Sequence, residues 1–104
     1  MSALVNAVRG EASLVLGDIE HKLRPTFAAL VAAEEEIGPL FHAVERAAAG
    51  HIKLSEIVAL LWHCLAPGAP PLTRESFAEA IVDAGLSAVT PALKALLTQV
   101  LQGK

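Results

Sequence analysis

The sequence predicts an α+β fold that is mainly α: an N-terminal two-stranded β-hairpin packed on four to five short helices. Three observations lead there. The segment "EASLVLGDIEHKLR" alternates in polarity about a Gly17-Asp18 pair, as two strands joined by a two-residue loop do. Downstream, apolar residues recur at helical spacing between Thr or Ser starts and Gly stops. Of the 104 residues, 54% are hydrophobic, yet Trp62, Phe27, Phe41 and Phe77 are the only aromatics and Tyr is absent. A core built from Leu, Val, Ile and Ala favours packed helices over a sandwich. The length suits a single domain over 1–104 with one core.

The hairpin is expected over about 11–24. Pairing Leu16 with Ile19 across the turn sets Leu14 opposite His21 and Ala12 opposite Leu23 on the inner face. Val15/Glu20, Ser13/Lys22 and Glu11/Arg24 then fall outside, where polar and opposite charges suit water. Pro25 cannot donate to a ladder and biases Arg24 toward extended backbone, so the second strand ends there.

Thr26 is expected to cap a first helix over about 26–37. Phe27, Leu30, Val31, Glu34 and Ile37 form its apolar stripe, which places Glu34 half-buried within it and Glu35 and Glu36 on solvated sides. Consecutive helical residues diverge by about 100°, so the three glutamates cannot converge on one substrate atom. A half-buried Glu34 must find a partner; His21 and the backbone N–H groups opening the next helix are the two candidates. Gly38 ends the first helix, and Pro39 suits the start of the second.

The second helix, about 39–49, puts Leu40, Phe41, Val44, Ala47 and Ala48 on one face and ends at Gly50. Ser55 is expected to cap the third, about 55–66, apolar nearly all round except at Glu56 and His63, as a central helix would be. "APGAPP" reads as a loop. Thr73 caps a fourth helix, about 73–84, with Phe77, Ala80, Ile81 and Ala84 inward and Gly85 as its stop. The last helix, about 88–102, begins near Ser87 or Thr90-Pro91. Its stripe of Leu93, Leu96, Leu97, Val100 and Leu101, with Lys94, Thr98 and Gln102 on the polar side, either closes the core or serves as a partner-binding handle.

The net charge is −3, and the eight Lys and Arg residues are spread singly, which argues against a nucleic-acid face. A helix-turn-helix is disfavoured by the long "APGAPPLT" connection and the single basic residue, Arg74, that opens the following helix. His42, His51, His63 and Cys64 lack the spacing of a zinc site; surface or rim histidines and a buried thiol are expected instead, with Trp62 as a core or rim anchor. No phosphate loop or nucleophile motif appears, so neither an enzyme nor a cofactor is expected. A lone Cys64 is compatible with a reducing cytoplasm. The start "MSALVNAVRG" lacks signal-peptide character, and no apolar run approaches the ~20 residues that span a bilayer, so no membrane contact is expected.

The order "GEASLVLGDIEHKLRPTFAALVAAEEEIG" followed by "PLFHAVERAAAGHIKLSEIVALLWHCL" resembles the small tail-assembly-chaperone-like proteins of gene transfer agents and long-tailed phages, a family also described as tail tube proteins. The resemblance is densest at Leu23, Arg24, Pro25, Thr26, Phe27, Ala28, Ala29, Leu30, Glu34 and Gly38, with Gly50, Ser55 and Leu65 adding to it. It implies a structural motif of Leu23, Arg24, Pro25, Thr26, Glu34 and Gly38 and no catalytic residues. It further implies a non-enzymatic assembly factor in the cytoplasm of a bacterial host, binding tape-measure or tail tube proteins, with self-association open. A structural tube component carried in the finished particle is the alternative.

Overall fold

The computed structural model describes residues 12–66 and 72–102. It comprises a hairpin, β1 (Ala12–Leu16) and β2 (Ile19–Leu23), then α1 (Phe27–Ile37), α2 (Leu40–Ala48), α3 (Leu54–His63), α4 (Arg74–Ala84) and α5 (Leu86–Gln102). This is the mainly α, α+β arrangement that the alternation and the helical stripes predict. The expected Glu11/Arg24 pair, the start at 1–11 and most of the "APGAPP" loop lie outside the described residues.

The strands pair antiparallel with Leu16 opposite Ile19, Leu14 opposite His21 and Ala12 opposite Leu23. Gly17 has a φ of +63° while Asp18 does not share a positive φ. That is the type II′ pattern, whose twist matches the strands it joins and whose first central position favours glycine. A two-stranded ribbon is marginal alone, and here it leans on the helices. Leu14, Leu16, His21 and Leu23 are buried where α5 and α4 pack on β1.

Helix α3 forms the centre: Ile57, Val58, Ala59, Leu60 and Leu61 are all buried. Helix α1 packs on it, and α4 contacts both α3 and α5. Phe77 on α4 is fully buried, edge-on to His21 and tilted against Trp62, with ring centroids 6.0 and 5.7 Å away. The chain leaving α3 returns to the hairpin. Arg24 N–H donates to the Cys64 carbonyl at 2.6 Å, Ala66 N–H to the Lys22 carbonyl at 2.9 Å, and Leu23 and Leu65 form an isolated bridge.

Two expected faces are turned. Phe27, placed on the buried stripe of α1, is 85% exposed, and Glu34 lies on the surface. The docked face runs through Ala29, Leu30, Ala33 and Ile37 instead, about one residue's rotation away. Ala33 explains this: a side chain that small lets α1 approach α3 closely. In α2 the inner residues are Leu40, Ala43, Val44 and Ala47, while Phe41 is 63% exposed and Ala48 is also exposed. Phe41 stands about 100° round the helix from Leu40 and so leaves the contact that Leu40 makes.

The helix starts also differ in part. Thr26 and Thr73 cap as expected, their hydroxyls accepting from Ala29 N–H and Ser76 N–H, each at 3.1 Å. Ser55 does not cap α3; the cap is Lys53, whose backbone N–H donates to Glu56 Oε1 at 2.9 Å. Helix α5 begins at Leu86 with Pro91 inside it. Pro91 is the sixth residue of the helix and cannot make the i→i−4 bond to the Ser87 carbonyl, while Thr90 Oγ1 donates to the neighbouring Leu86 carbonyl at 2.7 Å.

Candidate protein-binding surface

The apolar stripe of α5 divides along its length. Leu93, Leu96 and Leu97 are buried, Val100 is half-buried, and Leu101 is 54% exposed. Three of the five residues expected as a partner handle therefore belong first to the core. What stays open is a groove of about 340 Å³ between α2 and α5, floored by Leu93 and Leu97 and walled by Val44, Ala47 and Leu101. Its threonines do not make it polar. Thr90 and Thr98 turn their hydroxyls onto the carbonyls of Leu86 and Lys94, at 2.7 and 2.8 Å, which leaves their methyl groups to line the rim. Lys94 supplies the one cation of the lining, so the groove suits an apolar helix or strand face with an acceptor at its edge.

The residues of the "LRPT…E…G" pattern sit apart from this groove and act on the backbone. Leu23 is fully buried at the bridge to Leu65. Arg24 ties the end of β2 to Cys64, Pro25 ends the strand, and Thr26 starts α1. Glu34 then holds the α1–α2 corner twice: its carbonyl accepts from Gly38 N–H at 2.9 Å and its Oε2 from Leu40 N–H at 3.0 Å. Of the two partners open to Glu34, the N-terminal backbone of the second helix is the one used. An anion there meets both an unpaired donor and the positive end of the helix dipole. Gly38 makes the corner at a φ of +92°, which L side chains rarely adopt.

Sequence reasoning missed the other polar junctions. Glu36, expected on a solvated side, accepts from His63 Nε2 at 2.9 Å and from Arg74 Nη1 at 2.9 Å, with Arg74 Nη2 on its second oxygen. One carboxylate thus joins α1, α3 and α4. The Arg74 and His63 hydrogen bonds hold its carboxyl well down, at about 2. Glu56 similarly takes Arg46 beside its own helix start, and its carboxyl is lowered chiefly by the Lys53 N–H. Cys64 is buried, and burial pushes its thiol up to about 11, so it stays protonated and unreactive near neutrality. Among the described residues no three His, Cys, Asp or Glu side chains gather as metal ligands, and no single helix is long and apolar enough to cross a membrane.

Comparison with protein families decides the relationship. The family described as phage tail tube protein, GTA-gp10, matches residues 9–103. The chain belongs to that family. Neither the curated proteins nor the solved structures give a significant match. The match takes in the hairpin, the Glu34 corner and the groove of α2 and α5 alike, so this phage tail tube family chain carries all of these within its family region.

Proposed function

We propose that this chain is a structural, non-enzymatic component of a phage-type tail tube, seated among other tail proteins by apolar contact. Beside the family itself, the observation that supports this reading is where apolar side chains meet solvent. Leu101 borders the α2–α5 groove, while Leu54 and Val82 border a second groove between α3 and α4. Phe27 and Phe41 are exposed at the starts of α1 and α2, and Val15 and Ile19 on the hairpin. A tube subunit meets neighbours on several sides at once, and apolar groups uncovered on several elements are what such a subunit shows when it stands alone. Assembly of this kind takes place in the cytoplasm of a bacterial host before the protein enters the particle.

A second reading, a tail assembly chaperone that binds the tape-measure protein transiently, has one observation in its favour. The α2–α5 groove is open along two helices and suits a single helical segment of a client. The two readings differ in the finished particle. Quantitative mass spectrometry of purified particles should find this chain in proportion to the tube; complete tails that lack it would overturn the structural reading in favour of the chaperone. Leu101→Asp, at the groove rim, should leave the fold intact, and a lost contact of about 1.4 kcal/mol lowers incorporation about tenfold.

A further inference from the structure

The hairpin leaves one edge open. Residues flanking a two-residue turn exchange hydrogen bonds, and such pairs alternate along antiparallel strands. With Leu16–Ile19, Leu14–His21 and Ala12–Leu23 as the bonded pairs, the N–H and C=O groups of Ser13 and Val15 point away from β2. The outer edge of β2 is taken at Lys22 and Arg24 by residues 64–66. On β1 no backbone partner for Ser13 or Val15 exists among the described residues. The strand "ASLVL" also carries none of the Lys, Pro or bulge devices by which sheets guard an edge.

We propose that β1 is a self-association edge: a second copy of this chain pairs its own β1 antiparallel to it, about a two-fold axis at Leu14. In that register Ser13 lies opposite Val15 of the second copy at both ends, so all four outward groups of each strand are used. The result is a four-stranded sheet in the order β2-β1-β1-β2. The rest of the hairpin selects the occupant. A head-to-tail array through the sheet needs β1 of one copy on β2 of the next, and residues 64–66 already occupy that edge. About that axis Leu14 meets its own image and Ser13 meets Val15 of the second copy, so like charges at 13 and 15 would repel across the pair. The acidic and basic side chains of the two strands, Glu20 and Lys22, both sit on β2 as an ion pair 3.5 Å apart, and β1 has none.

The experiment is sedimentation equilibrium of the full chain, with amide hydrogen exchange read at Ser13 and Val15. A single strand pair buries less than a standard interface, so the mass should double only toward high concentration, with exchange at both amides slowing as it does. Val15→Pro removes an outward N–H that the hairpin does not use, and should lower the association constant about tenfold or more while far-UV circular dichroism stays unchanged. Should that variant fail to fold, charge swapping decides. A chain with Ser13→Lys and Val15→Lys and another with Ser13→Glu and Val15→Glu should each be monomeric, and their mixture dimeric. A wild-type chain that stays monomeric throughout overturns the proposal, as does a dimer that survives the substitutions. Slow exchange at these amides only in the presence of another tail protein also overturns it, assigning the edge to that protein.

Discussion

Glu34 and Glu36 stand two residues apart on α1 and hold two different kinds of junction. Glu34 closes a local corner, with its partners Gly38 and Leu40 within six residues. Glu36 spans the fold, reaching His63 and Arg74 at sequence separations of 27 and 38. The corner relies on one anion at a helix start, where the donor has no other partner inside its helix. The junction relies on ion pairs between side chains that are 24 to 40% exposed, where water and salt compete. Neighbouring carboxylates thus differ in what they hold together and in how conditions act on them.

The largest expected effect comes from removing what the long-range junction leans on. Phe77 lies one turn after Arg74 on α4 and is fully buried between His21 and Trp62. Phe77→Ala should cost ~3–5 kcal/mol, seen as a lower urea midpoint, and should release Arg74 from Glu36 as α4 loosens. If the variant instead unfolds with the wild-type midpoint, the packing of Phe77 does not hold α4 in place, and the contrast between the two glutamates loses its structural basis.

Next in size is the corner itself. Glu34→Ala strips the acceptor from Leu40 N–H and should destabilise by ~1–2 kcal/mol, whereas Glu34→Gln keeps a neutral acceptor and should cost less. Equal losses in the two variants would show that charge, not the hydrogen bond, carries the corner.

The same contrast explains how much of the molecule was legible in the sequence. The hairpin register could be read because a two-residue turn pins it and a slip by one would expose every inner side chain. The threonine caps and the glycine stops are equally local. Glu34 found one of its two foreseeable partners because that partner starts the very next helix. Phe27 and Phe41 misled, since aromatic size dominates a stripe drawn from sequence, while the true faces centre on Ala33 and Ala43, whose worth lies in letting helices approach. Glu36, His63 and Arg74 share no periodicity, and only the packing of three helices brings them together. The last helix was readable as apolar, but the division between buried Leu96 and exposed Leu101 depends on where β1 and α4 pack on it, which no spacing encodes.

The smallest expected effect is the most diagnostic, because pH and salt act on Glu36 in a defined direction. Exposed ion pairs contribute at most ~1 kcal/mol, so Glu36→Gln should lower stability only slightly at pH 7, with the difference shrinking further in high salt as screening grows. The folded carboxyl titrates at about 2 against an ordinary 4.5. A depressed folded value means that the unfolded chain binds the proton first, so the contribution is complete above about pH 5 and is lost as pH falls from 4.5 toward 2. The wild-type chain should therefore lose more stability than Glu36→Gln across that window, and their urea midpoints should converge near pH 2. Glu56 is lowered in both proteins, so its acid loss cancels in the comparison. Parallel midpoint curves from pH 7 to pH 2 would mean that Arg74 and His63 contribute nothing through Glu36 in solution, and that α1, α3 and α4 are joined by apolar packing alone.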